Sequence, residues 1–115
     1  MDTNQLVDQH TARFGAGDLE GLLSEYHEDV VFLSPYGVLK GVAAMRPLFE
    51  AMIAEFSLPG VSFALLSRAV EGDYAYLSWK AETPRNSYAM GSDTMVFRDG
   101  KIILQTAAFH VTPKG

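Results

Sequence analysis

Apolar residues recur at helical spacing over much of the first half of the chain and at every second position over most of the second half. Leu6, Val7, His10 and Phe14 fall on one stripe of a first helix, which Asp2 or Thr3 is placed to cap and Gly15 and Gly17 to end. Asp18 is placed to cap a second, short helix whose Leu19, Leu22 and Leu23 turn inward with Tyr26. His27-Glu28-Asp29 reads as a polar turn. Val30 to Leu33 is β-branched and aromatic and reads as a strand, broken by Ser34-Pro35-Tyr36-Gly37, with Val38-Leu39 as a brief edge strand. Met45, Leu48, Phe49, Met52, Ile53 and Phe56 then mark one face of a third helix, with a kink expected at Pro47 and an end at Leu58-Pro59-Gly60.

Four strands follow: Val61–Val70, Tyr74–Ala81, Ser87–Phe97 and Ile102–Val111, the last two joined by the hairpin signal Arg98-Asp99-Gly100-Lys101. Helices first and a meander afterwards predict an α+β domain spanning residues 1–115, not a parallel α/β sheet. Simple alternation sets Tyr88, Met90, Ser92, Thr94 and Val96 on one face of the third of these strands and Ala89, Gly91, Asp93, Met95 and Phe97 on the other. In the last strand it sets Ile102, Leu104, Thr106 and Ala108 against Ile103, Gln105, Ala107 and Phe109. All four faces are substantially apolar, so both sides of the sheet are expected to be covered, one by helices and the other by a second copy in a homodimer.

Composition narrows the function. A formal charge of -5 without a Lys/Arg run disfavours a phosphate backbone as partner, so no nucleic acid is expected. No apolar stretch is long enough for a membrane span, and the polar start Met1-Asp2-Thr3-Asn4-Gln5 is unlike a secretory signal, so a cytoplasmic protein is expected. The chain has no cysteine, which removes disulfides, thiolate catalysis and cysteine–zinc sites together. Its three histidines show no metal-binding spacing, and there is no G-x-G-x-x-G, P-loop or G-x-S-x-G, so neither a metal nor a cofactor is expected.

Several segments, in order, resemble one known group. Phe14 to Leu23, Val30 to Gly37, Gly41 to Phe49 and Ser92 to Ile102 resemble successive pieces of the nuclear transport factor 2-like superfamily, in its SnoaL-like polyketide cyclase and ketosteroid isomerase-like branch. The resemblance implies a cone-shaped curved sheet, barrel-like in outline and of mixed or antiparallel strands, with three helices closing an apolar pocket. It fixes shape better than chemistry. The isomerases place an Asp base before the proline of the first-strand turn, where this chain has Ser34. They place an oxyanion-donating Tyr on the first helix, where it has His10, and a second donor, an Asp, on the penultimate strand, which Asp93 matches.

Asp93, beside Gly91, Met95 and Phe97, is the leading catalytic candidate: burial raises a carboxyl's pKa and fits it to hydrogen-bond or exchange a proton with an enolate. The plain alternative is that Asp93 faces outward, or pairs with Lys101 or Arg98 near the turn. His10 can assist by pairing with Asp93, or can be a core histidine bonded to backbone. Phe14, Tyr26, Ser34, Trp79, Met95, Gln105 and Phe109 are the substrate-binding candidates, Trp79 turned inward with Leu77 and Ala81. Buried amides need partners, and those of Gln105 belong either to a ligand or to the dimer contact. Two functional readings stand: an isomerase, cyclase or dehydratase moving a proton on a small apolar carbonyl or polycyclic compound, or a non-catalytic binder of a small hydrophobic ligand or partner protein. A purely structural dimer is the third.

Overall fold

A computed structural model describes residues 1–115. Its elements are α1 (Thr3–Gly15), α2 (Leu19–Leu23), β1 (Tyr26–Ser34), β2 (Gly37–Lys40), α3 (Val42–Phe56), β3 (Ser62–Glu71), β4 (Tyr74–Glu82), β5 (Asn86–Arg98) and β6 (Lys101–Pro113). Asp2, not Thr3, caps α1: its carboxylate accepts the Gln5 N–H while the Gln5 side chain accepts the Asp2 N–H, each at 2.8 Å. Asp18 caps α2 through the Gly21 N–H at 2.9 Å. Helix α3 continues through Pro47. No helix is long and apolar enough to cross a membrane.

The strands form one six-stranded mixed sheet in the order β2-β1-β6-β5-β4-β3, parallel only between β1 and β6. It remains open, with four-residue β2 and ten-residue β3 as its edges, and with the three helices it makes the expected α+β arrangement on a curved sheet.

Bulges change the faces that simple alternation assigns. Between Tyr26 and Val31 the β1–β6 register slips, so the expected turn His27–Asp29 is instead bulged strand, and Asp29 donates its N–H to the His27 ring at 3.0 Å. In β5 the register shifts between Tyr88 and Met90, which brings Tyr88 to the inner face with Gly91, Asp93, Met95 and Phe97. In β6, Phe97 pairs with Ile102 and Val96 with Leu104, leaving Ile103 as the extra residue and turning Ile102 inward with Gln105. An extra residue of this kind bends its strand and increases its twist, which suits a sheet that must curl around its contents.

The inner face is built in cross-strand rows. At one end Tyr26, Ile102 and Phe97 align, and the next row holds Phe32, Gln105, Met95 and Ala75. With Val7, Leu22, Met45 and Phe49 from the helices they make the main core. At the other end Trp79, Ala81 and Tyr88 form a second cluster with Phe56, Phe109 and Val111. The row Leu77–Asp93–Ala107 begins with Leu77 of the main core and runs alongside the second cluster.

Glu55, in the last turn of α3, fastens this second cluster. It accepts hydrogen bonds from Thr83 Oγ1 (2.7 Å), Asn86 Nδ2 (2.9 Å) and the Tyr88 hydroxyl (3.0 Å). Burial raises its pKa, but the bonds from Asn86, Thr83 and Tyr88, with the charge of Arg85, outweigh that and leave it below the ordinary 4.5. Glu55→Ala is expected to cost about 1–2 kcal/mol in urea unfolding near neutral pH. Because the folded-state pKa is depressed, this contribution is complete above the ordinary carboxylate range and is lost as pH falls through the folded-state value, so the stability gap between the two proteins narrows in acid.

Candidate functional site

A cavity of about 190 Å³ opens where the two clusters part, against the row that carries Asp93. Its sheet side is Phe32, Leu77, Trp79, Asp93, Gln105, Ala107 and Phe109, and its helix side is His10, Thr11 and Phe14 from α1 with Leu48, Phe49, Met52 and Phe56 from α3. Ser34 and Tyr36 at the β1–β2 turn, and Val61, Phe63 and Leu65 at β3, complete the lining. Tyr36, Phe63 and Leu65 are exposed, which places them at the rim.

Asp93 sits between two neutral donors: Trp79 Nε1 gives a hydrogen bond to Oδ1 at 3.0 Å and Gln105 Nε2 one to Oδ2 at 2.8 Å. The Tyr26 hydroxyl donates to Gln105 Oε1 at 2.5 Å, fixing the amide so that its NH₂ faces the carboxyl. Burial raises the pKa of Asp93, opposed by the bonds from Trp79 and Gln105 and by the nearby charge of His10. The Tyr26 phenol is pushed well above its ordinary value, first by burial and then by the Asp93 and Glu25 charges, so it remains a donor.

Gly91 makes the Trp79 contact possible. The two residues are cross-strand partners, and a Cβ on Gly91 would come within 2.2 Å of the indole ring. The ring therefore lies across the β5 backbone, its other face stacked on Phe63 at 5.6 Å. No other glycine in the sheet is crossed by a side chain in this way.

His10 makes neither expected contact. Its Nδ1 lies 2.8 Å from Glu25 Oε1, in place of Asp93 or a backbone group. Glu25 is buried, and Arg13 Nη1 lies 3.0 Å from its other oxygen. Asp93 likewise reaches neither Lys101 nor Arg98, since Lys101 bonds the Ser24 carbonyl.

Of the remaining sequence candidates, Phe14, Ser34, Trp79, Gln105 and Phe109 line the cavity. Met95 and Tyr26 do not. Met95 is fully buried one row deeper, paired with Ala75 and Gln105 in the main core, and Tyr26 is at the closed end, acting on Asp93 only through Gln105. The Ser34 hydroxyl accepts the Tyr36 N–H at 3.1 Å and so serves the turn. The partners of Gln105 are within its own chain, neither ligand nor second copy. Sequence reasoning missed Glu25, Arg13 and the role of Gly91. A carboxylate flanked by the inward Leu22, Leu23 and Tyr26 was the available signal for Glu25.

Comparison with known proteins agrees with the fold. The model of the SnoaL-like domain family matches residues 7–105. Among solved structures, the fold is similar to that of a nuclear transport factor 2-like protein of unknown function from Cytophaga hutchinsonii (15% identity, TM-score 0.78, covering 96% of this chain and 91% of that one). It is also similar to a proposed ketosteroid isomerase from Kribbella flavida (16%, 0.76, 98% and 81%). A proposed polyketide cyclase from Sinorhizobium meliloti is a third (18%, 0.72, 90% and 93%). No curated protein matches the sequence significantly.

Gly91→Ala is expected to push the indole off β5 and break its bond to Asp93. The forced repacking should cost about 1–3 kcal/mol in urea unfolding, with a shift in the emission of Trp79, the chain's single tryptophan.

Proposed function

Because the chain belongs to the SnoaL-like domain family, matched from residue 7 to 105, we propose that it moves a proton on a small, largely apolar carbonyl compound, as an isomerase, cyclase or dehydratase. The observation that carries this reading is Asp93: a carboxyl bordering an apolar cavity, held by two neutral donors and no contacting cation. Such a group is costly to bury and disposed to keep its proton. In its protonated form it donates a hydrogen bond to the oxygen of a developing enolate. His10 borders the same cavity from α1 and is the proton acceptor. The C–H bond beside the carbonyl breaks, its electron pair enters the enolate, and the proton passes to the imidazole. Return of that proton to another carbon gives an isomer, and departure of a β-leaving group, protonated as it goes, gives an unsaturated product.

Cavity size bears on the ligand. An apolar cavity of about 150 Å³ accepts benzene, so 190 Å³ suits one or two rings better than a steroid-sized skeleton. The Ser34 position supports the second reading, a non-catalytic binder, because the turn carries no carboxylate there and the hydroxyl is engaged by Tyr36.

Titration of wild type and Asp93→Asn with phenols and monocyclic or bicyclic enones, followed by Trp79 emission and by enone absorbance, separates these readings. Saturable binding with turnover that Asp93→Asn abolishes is expected, with affinity falling about tenfold for one lost hydrogen bond. Equal binding by both proteins without turnover favours the binder, and no binding by wild type overturns both readings.

The outer sheet face supports the homodimer reading. One row runs Ala69, Tyr76, Thr94, Thr106, Leu33, Val38 across all six strands without a charge, and the next runs Glu71, Tyr74, Val96, Leu104, Val31, Lys40, with charges only on the two edge strands. Tyr74 is 61% exposed and Val38 61%. A broad face of this kind, uncharged across its four central strands, fits a second copy of itself. Light scattering is expected to give twice the 12.6 kDa chain mass, and Thr94→Glu with Thr106→Glu to give the monomer; a monomeric wild type excludes the dimer.

A further inference from the structure

Two ionisable side chains in the site's surroundings, Glu25 and Arg13, have no part in the chemistry so far. Glu25 lies between α2 and β1 with its side chain 7% exposed. Each of its oxygens has one contact: Oε2 with Arg13 Nη1 at 3.0 Å, and Oε1 with His10 Nδ1 at 2.8 Å. Arg13 is itself fixed, since the same nitrogen also reaches the Gly21 carbonyl at 3.2 Å. An arginine remains charged and only donates, and an ionised carboxylate only accepts. The nitrogen of His10 that faces Glu25 must therefore carry a proton.

The other nitrogen, Nε2, has no hydrogen bond within the chain, since Nδ1–Glu25 is the one His10 ring contact. It is not sealed in either, because every buried side-chain nitrogen and oxygen has a partner. It keeps accessible surface, and the open space that His10 borders is the cavity. Around the ring stand Glu25 below, Arg13 behind Glu25, Tyr26 edge-on at 6.3 Å, and Asp93 across the cavity.

We infer that Glu25, clamped by Arg13, is a positioning residue that holds the neutral His10 imidazole with its proton on Nδ1 and its Nε2 lone pair toward the cavity. The inference rests on the reading of the cavity as the reacting site. It explains how a chain with Ser34 at the isomerase base position still has a proton acceptor, moved from the β1–β2 turn to α1. When Nε2 takes the substrate proton the ring becomes an imidazolium, and the Glu25 carboxylate already at Nδ1 balances the new charge. Glu25 touches no reacting atom and acts only through His10.

The test is ¹⁵N NMR of the imidazoles of the full chain, without ligand, at a pH where they are neutral, with the His10 signals assigned by their loss in His10→Asn. In wild type Nδ1 should give the protonated signal and Nε2 the unprotonated one, the reverse of the tautomer favoured by free histidine. Glu25→Gln should invert this. Arg13 will claim the amide oxygen, the amide NH₂ will then face Nδ1, Nδ1 must accept, and the proton moves to Nε2. A wild-type Nε2–H overturns the inference whether or not the variant folds. So does a Glu25→Gln protein, folded by circular dichroism, whose tautomer is unchanged. The ligand titration fails separately: no turnover beside an inverted tautomer counts against the proton-transfer reading, not against the role of Glu25.

Discussion

The structure depends on holding one half-buried carboxyl, that of Asp93, against an apolar cavity without a contacting cation. A charge placed alone among apolar side chains costs far more than a domain's whole stability, so it must be hydrogen-bonded, or hold its proton, or both. Here the donors come from both neighbouring strands, Trp79 on β4 and Gln105 on β6, and Gln105 is in turn oriented by Tyr26 on β1. One polar chain thus ties together four of the six strands. Each link has its own support: the indole can cross β5 only over Gly91, and the Tyr26 phenol donates because burial keeps it protonated. The cavity is the by-product, since the small Ala107 beside Asp93 fills little of the space that the rows on either side fill with Met95 and Trp79.

Local sequence carried the elements well and their faces less well. Caps, helix stripes and hairpin turns are short-range features, so α1 to α3 and the four-strand meander were legible. Bulges are not. Ile103 and Ala89 look like ordinary alternating residues, yet the register shifts beside each, and with them Ile102 and Tyr88 move to the inner face. What sets such a shift is the curvature of the finished sheet, which no window of neighbours contains. Met95 shows a related limit: its face was legible but its depth was not, because the row it joins is fixed by pairing with Ala75 and Gln105 on other strands. For Glu25 the residue was conspicuous and the partners were not, as Arg13 and His10 belong to a helix on the far side of the α1–α2 turn.

Resemblance to a family and the chemistry of individual positions point in different directions at Ser34. The chain belongs to the SnoaL-like domain family, and its fold alone is shared with proteins proposed to be isomerases and cyclases. The residue at the expected base position caps a turn instead. A pocket can keep its chemistry through such a change only if another group with a free lone pair borders it, and His10 is the one imidazole that does. The apolar wall from Phe14, Met52, Phe56 and Phe109 would serve a binder equally, so the wall does not decide between function classes.

The polar end of the site contains two carboxyls whose surroundings differ in kind. Glu25 faces a permanent cation on one oxygen and a histidine on the other. Asp93 faces an indole and an amide, both neutral, and burial favours its protonated form. His10 stands between them, bonded to the first and facing the second across the cavity. A histidine bonded to a carboxylate through one nitrogen presents the other nitrogen to whatever lies in front, and a carboxyl that retains its proton is a donor toward the same space. Separation of two like groups into an acceptor's support and a donor follows from their partners alone, and it is the division of roles that removal of a proton beside a carbonyl requires.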